Sequence, residues 1–422
     1  MKVLFLNTHS LMNTGDASIV LAQIQLFQKI FKHPQISLTS RTPDFDKKFY
    51  HSLNIKVIPP LLPSPSTSDG FWNKTNNILS HMFNIKDKID LIYEIRTSDL
   101  VVSSGGGYFY SNRRTIPGPT FLQNYLHTKL TCAFHRPLIF LPQSFGPFYN
   151  PLALGLMQNT LNCDNIIKIF AREQISFDML SGLLNSKTNK KKLDICPDMA
   201  FYIQSMERKL NSIPFDVLPR PIMAVTLRQW DFPDAKTRVQ RNQMKKNYLE
   251  NLYQVCIKFH KINRGSILIF PQVRGPGISE DDQRISLKFW KMIKNIIPEN
   301  YRYYLDLNIG EGPAPIIFML SQTDIMLSTR FHSAIFAFKA GIPAIVLTYQ
   351  PKSKGIMEWM NLADFCFSID NFMPENILKR IEMILRNHSD IQNKIKRKTS
   401  AMRETIKSKL ERTLTELGKE IK

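Results

Sequence analysis

Short apolar runs recur along the chain, each followed by small or polar residues and then by a stretch with helical periodicity. In the first half the runs are VLFLN (3–7), DLVVSS (99–104), PLIFLPQ (137–143), IIKIFAR (166–172) and LDICPD (193–198). In the second half they are MAVTLR (223–228), SILIFPQ (266–272), DIMLST (324–329), AIVLTY (344–349) and FCFSID (365–370). Continuous apolar runs alternating with helices predict parallel strands covered on both faces. The pattern therefore predicts an α/β chain of two doubly wound units. The series breaks near 203–221, which gives expected domains 1–205 and 206–375 and a helical segment 376–422. The last segment places Ile391, Ile395, Met402, Ile406, Leu410, Leu414, Leu417 and Ile421 at steps of mainly four or seven, an amphipathic spacing. The Pro- and Ser-rich stretch 60–76 reads as a surface excursion. In doubly wound sheets ligands bind beyond the carboxyl ends of the strands. With two sheets facing across a cleft, the residues just after the strands are the ones to examine.

Size and charge narrow this picture. At 422 residues, 43% of them apolar, the chain is too long for one ordinary core and too apolar for disorder. No apolar stretch reaches the roughly 18–20 residues that span a bilayer. The opening MKVLFLN lacks the long apolar core of a secretory signal, so a cytoplasmic protein is expected. Five cysteines (Cys132, Cys163, Cys196, Cys256, Cys366) are scattered singly, as reduced, mostly buried thiols would be. A net charge of +21 calls for an anionic partner: nucleic acid, an acidic membrane surface or a phosphorylated substrate. No zinc-finger spacing or RNA-binding aromatic run is present, so no specific nucleic acid is expected. No metal-ligand cluster is visible either.

Candidate chemistry gathers after the strands. Gly105, Gly106 and Gly107 follow DLVVSS, where glycines let the backbone approach a ligand or make a tight turn. The loop Asn13, Thr14, Gly15 and Asp16 follows the first run, and Asp16 or Thr14 is placed to cap the helix that begins there. Asp16 otherwise contacts a sugar hydroxyl or acts as a base. The loop is neither GxGxxG nor a P-loop, which argues against dinucleotide or Walker-type nucleotide binding. In LSTRFHSAIFAFKAGIP, Thr329 or Ser328 is expected to cap a helix whose first turn carries Arg330 and His332. A positive helix end disfavours cations unless an anion compensates them, so these two residues point to phosphate or carboxylate. Lys352 follows the next strand and can reach the same edge. Arg172 and Arg228 also stand at strand ends.

The NTGD loop (13–16), GGG (105–107), PQSFGP (142–147), AREQIS (171–176), PDMAF (197–201), TLR (226–228), PQVRGP…EDD (271–282) and R-F-H…G-I-P…Y-Q-P-K (330–352) together resemble the polysaccharide pyruvyl transferase family. That resemblance implies a glycosyltransferase-B-like pair of Rossmann-like domains. It also implies transfer of pyruvate from phosphoenolpyruvate to two hydroxyls of one sugar as a cyclic ketal, with phosphoenolpyruvate as co-substrate and no cofactor. It makes the positions of His332 and Lys352 essential and those of Arg228 and Arg330 donor-binding. Three cations and a helix end suit a donor that carries both carboxylate and phosphate. A titratable imidazole suits the proton transfers, so His332 is expected as acid/base, with Asp16 as its partner on the N-terminal, acceptor side. Arg172, Gly105, Gly106, Gly107, Asn13 and Gly15 complete the expected substrate contacts. A nucleotide-sugar glycosyltransferase and a non-catalytic polyanion binder are the competing readings. Lys236, Arg238, Arg241, Lys245 and Lys246 follow the strand bearing Arg228, which points to a lipid-linked saccharide acceptor and an anionic membrane surface.

Overall fold

The computed structural model describes residues 1–62, 84–111, 115–204, 215–277, 280–306, 309–349 and 351–420. The expected excursion at 60–76 lies outside these residues from position 63 onward. Two compact units form: Met1–Gln204 with Met402–Lys422, and Ser205–Ala401.

In the first unit the strands are β1 (Lys2–Leu6), β2 (Gln35–Thr39), β3 (Lys56–Ile58), β4 (Leu100–Ser103), β5 (Gly106–Ser111), β6 (Leu138–Phe148), β7 (Ile166–Ala171) and β8 (Leu193–Ile195). They lie in the order β3-β2-β1-β4-β6-β7-β8, with β5 pairing to β6 off this path. The pairings are parallel, Val3 lying opposite both Ile36 and Leu100. The second unit has β9 (Ile222–Val225), β10 (Ser266–Ile269), β11 (Arg302–Tyr304), β12 (Ile325–Ser328), β13 (Ala344–Thr348) and β14 (Cys366–Ser368), ordered β11-β10-β9-β12-β13-β14. Here too the pairs are parallel. Central strands such as LVVS (100–103) and IMLS (325–328) are buried at every position, which is why they read as continuous apolar runs.

All ten apolar runs are strands. Four more, β2, β3, β5 and β11, escape the pattern because they are short, partly polar or glycine-led. The three glycines after DLVVSS were expected in a ligand-approaching loop or turn; Gly106 and Gly107 instead open β5. The terminal segment is not one separate piece. A helix at Pro374–Arg386 is followed by a 33-residue helix, His388–Glu420, whose residues up to Ala401 group with the second unit and the rest with the first. Within the first unit Ile406, Leu410 and Leu414 are fully buried. Lys409 Nζ binds Asp194 Oδ1 and the Ile195 carbonyl, each at 2.7 Å.

Candidate functional site

In the second unit the chain runs from β9 outward to β11, then returns to continue at β12 on the other side of β9. The order reverses between β9 and β12, and ligands of doubly wound sheets bind in the crevice at such a point. The two strand ends are tied there: Thr329 Oγ1 donates to the Thr226 carbonyl at 3.0 Å. Beyond β9 lies Arg228; beyond β12 lie Arg330 and His332; beyond β13 lie Tyr349 and Lys352; beyond β10 lies Asp282. The topology thus brings Arg228, Arg330, His332 and Lys352 to one edge of one sheet. Of Lys352 only the backbone is described, in the helix Pro351–Trp359.

The two arginines differ in what surrounds them. Arg330, 8% exposed, sends Nε to Asp282 Oδ2 at 2.9 Å, and Nη2 to Asp282 Oδ1 at 2.6 Å and to the Glu280 carbonyl at 2.9 Å. Asp282 is fully buried, and despite burial its charge and hydrogen bonds hold the Arg330 guanidinium above its ordinary range. Among the described residues Arg228 has no such carboxylate. Its guanidinium carbon sits 3.9 Å from the centre of the Tyr349 ring and 5.3 Å from that of Trp230, and its Nε is buried without a hydrogen-bond partner. Burial, opposed by Tyr349 and reinforced by Arg330, lowers its pKa. A desolvated guanidinium packed against an aromatic pair, with no carboxylate on it, is a cation prepared for an anion.

The cap at this helix differs from expectation. Neither Ser328 nor Thr329 occupies the N-cap: the helix is Phe331–Lys339, and Arg330 itself is the extended N-cap residue, with no side-chain cap bond. Ser328 Oγ is drawn instead to the Arg330 carbonyl, and Ser333 in the first turn bonds Gln272. His332 stands in that first turn, half-buried. Trp230 and Tyr349, whose rings lie 4.8 Å apart, and the counter-ion Asp282 are site residues to which the sequence pattern gave no role.

The first unit repeats the topology, reversing between β1 and β4. Asn13, not Asp16 or Thr14, caps the helix Thr14–Ile30: its side chain accepts from the Gly15 and Asp16 amides. Asp16 contacts the Asn13 amide and lies 3.8 Å from His9 Nδ1. The His9 ring stacks on Tyr108 at 5.6 Å and touches the Arg41 guanidinium. Burial and the nearby Asp16 carboxylate push the Tyr108 phenol well above its usual range. Asp46 fastens the loops after β1 and β2 together, accepting from the Leu11 amide at 3.2 Å and from Ser40. Burial pushes its carboxyl up to about 6. His9, Arg41 and Tyr108 come from three separate segments, so no spacing in the sequence announces them.

The remaining expected contacts turn inward. Arg172 is held by Asp198 at 2.7 Å and Ser144 at 2.6 Å, within a buried network that includes Glu173. A Cβ at Gly105 would lie 2.7 Å from both Ile19 and the Pro142 carbonyl, and Gly106 has φ +126° with Tyr108 beside it. The first glycine permits helix–strand packing, the second a left-handed turn into β5. In the basic stretch after Arg228, Lys236, Arg238 and Lys246 are exposed, whereas Lys245 is paired with Asp231 at 2.7 Å. Among the described residues no helix is long and apolar enough to cross a membrane, and no group of three or more His, Cys, Asp or Glu is placed to hold a metal ion.

Comparison with known proteins gives a family and a fold. A family model described as polysaccharide pyruvyl transferase matches residues 13–351. The amylovoran biosynthesis protein AmsJ of Erwinia amylovora is 20% identical, over 94% of this chain and 95% of its own. Among solved structures, Anabaena Alr3699/HepE in complex with UDP superposes with a TM-score of 0.56 at 12% identity, covering 99% of this chain and 100% of that one. The UDP-GlcNAc 2-epimerase of Neisseria meningitidis bound to UDP-GlcNAc gives 0.56 at 13% identity, over 98% and 100%. At these identities the likeness shows the fold alone, the glycosyltransferase-B type of two Rossmann-like units.

Proposed function

The chain belongs to the polysaccharide pyruvyl transferase family, and we propose that it moves pyruvate from phosphoenolpyruvate onto a sugar of an exopolysaccharide or its precursor as a cyclic ketal. The observation that carries this reading is Arg228, a cation without a carboxylate, its Nε unpartnered, at the switch point of the second unit. In the reaction, one sugar hydroxyl adds to the phosphate-bearing carbon while the methylene carbon takes a proton. The second hydroxyl then displaces inorganic phosphate, closing the ketal; the two hydroxyl protons balance the new methyl C–H and the charge on the departing phosphate.

Arg228 binds the donor carboxylate or phosphate in this scheme, and Lys352 supplies the second cation. Arg330, engaged by Asp282, acts as a positioning residue that fixes the β12 end and the helix carrying His332. His332 moves the proton, for which an imidazole is suited near neutral pH. Asp16, in the first unit, serves an acceptor hydroxyl. The acceptor is lipid-linked and met at the cytoplasmic face of the membrane, a placement supported by the exposed cations at 236–246. AmsJ, by its name an amylovoran biosynthesis protein, supports the exopolysaccharide setting.

Mass spectrometry of the cell-surface polysaccharide, with the gene intact and deleted, tests the reaction. A pyruvyl ketal that disappears on deletion is expected. A polysaccharide whose pyruvyl content is unchanged, or purified protein that turns over a nucleotide sugar and ignores phosphoenolpyruvate, overturns it.

A further inference from the structure

Beyond the carboxyl ends of β1 and β4 the first unit holds a pocket of its own, lined by residues that include His9, Arg41, Tyr108, Thr120, Gln123 and Asn124. Its walls are fixed from behind. Asn7, left-handed at φ 60°, donates from Nδ2 to Ser103 Oγ at 3.0 Å. His127, fully buried, accepts the Leu61 amide on Nε2 at 3.0 Å, so its Nδ1–H donates to Asn7 Oδ1, also at 3.0 Å. Two features of the pocket point to a ligand. Gln123 and Asn124 are 8% and 3% exposed, line it, and have side-chain amides with no hydrogen bond among the described residues. Largely buried side chains whose amides face a pocket are open to a partner with donors and acceptors of its own. The second feature is a pair of anion-binding groups, set opposite the Asp16 carboxylate that lies behind His9. Pro119 and Thr120 open the 15-residue helix Pro119–Ala133, whose N-cap Gly118 offers no side-chain cap and whose first turn holds no acidic residue; Arg41 lines the same pocket. The half-buried Tyr108 ring, stacked on His9, adds an aromatic wall.

Planar amides beside an aromatic face suit the hydroxyls and C–H face of a sugar ring, and a guanidinium beside a helix N-terminus suits a carboxylate or phosphate. We propose that this pocket is the acceptor subsite and that it selects a sugar unit bearing an acidic group, with Gln123 and Asn124 reading hydroxyls and Arg41 reading the charge. The proposal rests on the transferase reading for the word acceptor; the sugar site itself stands on the pocket.

Titration of the full-length protein by calorimetry with methyl β-glucuronide, glucose 6-phosphate and methyl β-glucoside tests it. The same titrations in an Arg228→Met background remove phosphate captured by the other unit. At least one acidic probe should bind about tenfold more tightly than the neutral glucoside, the scale of one charge-assisted contact. Arg41→Gln should erase that preference, and Gln123→Ala, checked for an unchanged melting curve, should weaken all three probes. Equal binding of neutral and acidic probes, a preference that survives Arg41→Gln, or no binding by any of them overturns the proposal. The two acidic probes separate a carboxylate-bearing from a phosphate-bearing sugar. Phosphoenolpyruvate is titrated separately: its failure to bind while the sugars obey Arg41 refutes the donor reading and leaves the pocket standing.

Discussion

Arg330→Ala should damage the fold of the second unit and not merely its ligand binding. The side chain being removed satisfies a fully buried carboxylate through two contacts, at 2.9 and 2.6 Å, and anchors the Glu280 carbonyl with a third. Asp282 would keep only the Val273 amide, at 3.3 Å. Stripping one partner from a buried ion pair costs about 3–5 kcal/mol, because the other charge stays desolvated. For a unit of this length each kcal/mol moves the melting temperature by about 2–4 °C, so a fall of roughly 10 °C is expected. The loss should depend on pH with a definite sign. Burial already raises the Asp282 carboxyl with Arg330 in place; in the variant only the Arg228 charge and the Val273 amide oppose burial, so its folded pKa rises further above the unfolded value, and the variant loses stability relative to wild type as pH rises. Circular-dichroism melts of wild type, Arg330→Ala, Asp282→Asn and the double variant at pH 5 and pH 8 read this directly. The double variant should recover part of the loss. An Arg330→Ala protein that melts within 2 °C of wild type at both pH values would refute the argument and return Arg330 to the ligand.

Arg228 should behave in the opposite sense. With no carboxylate bonded to it among the described residues and a pKa lowered mainly by burial, it destabilises the unliganded unit, so Arg228→Met should melt at the same temperature or higher. The same variant should lose about 2–4 kcal/mol of phosphoenolpyruvate affinity by calorimetry, the scale of a desolvated charged contact. His332→Asn should lower turnover by roughly 10²–10⁴ while changing donor affinity by about 1 kcal/mol, since an amide keeps a hydrogen bond but cannot shuttle a proton; steady-state rates alongside binding separate the two. His127, pushed down to about 3 by burial from 6.5, stays neutral when folded. Its unfolded form gains a proton below 6.5, so its stability contribution is complete above that pH and is lost as pH falls toward 3, by up to roughly 5 kcal/mol. Denaturant titrations of His127→Gln should show a flatter loss between pH 6.5 and pH 4 than wild type.

Much of the fold could be read in the sequence because both faces of the sheets are covered. A strand such as VLFL (3–6), buried at every position, leaves an unbroken apolar run that no surface helix produces. The strand GGYFYS was hidden for the opposite reason: Gly105 just before it, packed against Ile19 and Pro142, and the left-handed Gly106 that opens it imitate a turn. The site was only half legible. Strand-end cations announced Arg228, Arg330 and His332, since charged groups beyond apolar runs have few structural reasons to be there. Their partners did not announce themselves. Asp282 is 48 residues before Arg330, and Arg41 is 32 after His9. These pairings are made by crossover connections that bring one strand end beside another, and a linear pattern carries no trace of them.

The opposite electrostatics of Arg228 and Arg330 have a consequence for specificity. A site in which both arginines were open would offer two strong cations to any polyphosphate, and charge alone would then discriminate poorly among anions. By committing one guanidinium to Asp282, the second unit keeps the geometry that a planar fork imposes on the β12 end while cancelling its charge. What remains at the switch point is a guanidinium packed on the Tyr349 ring, with Trp230 against the same ring, a contact that restricts its plane before a ligand arrives. Preorganisation of this kind reduces the ordering cost of binding and favours a small, rigid dianion over a long flexible one. The donor proposed above is small and planar about its double bond, so replacing the aromatic pair (Tyr349→Leu with Trp230→Leu) should weaken phosphoenolpyruvate more than it weakens inorganic phosphate, a sphere indifferent to the plane. Equal losses for the two anions would mean that the aromatic pair only excludes water and does not orient the donor.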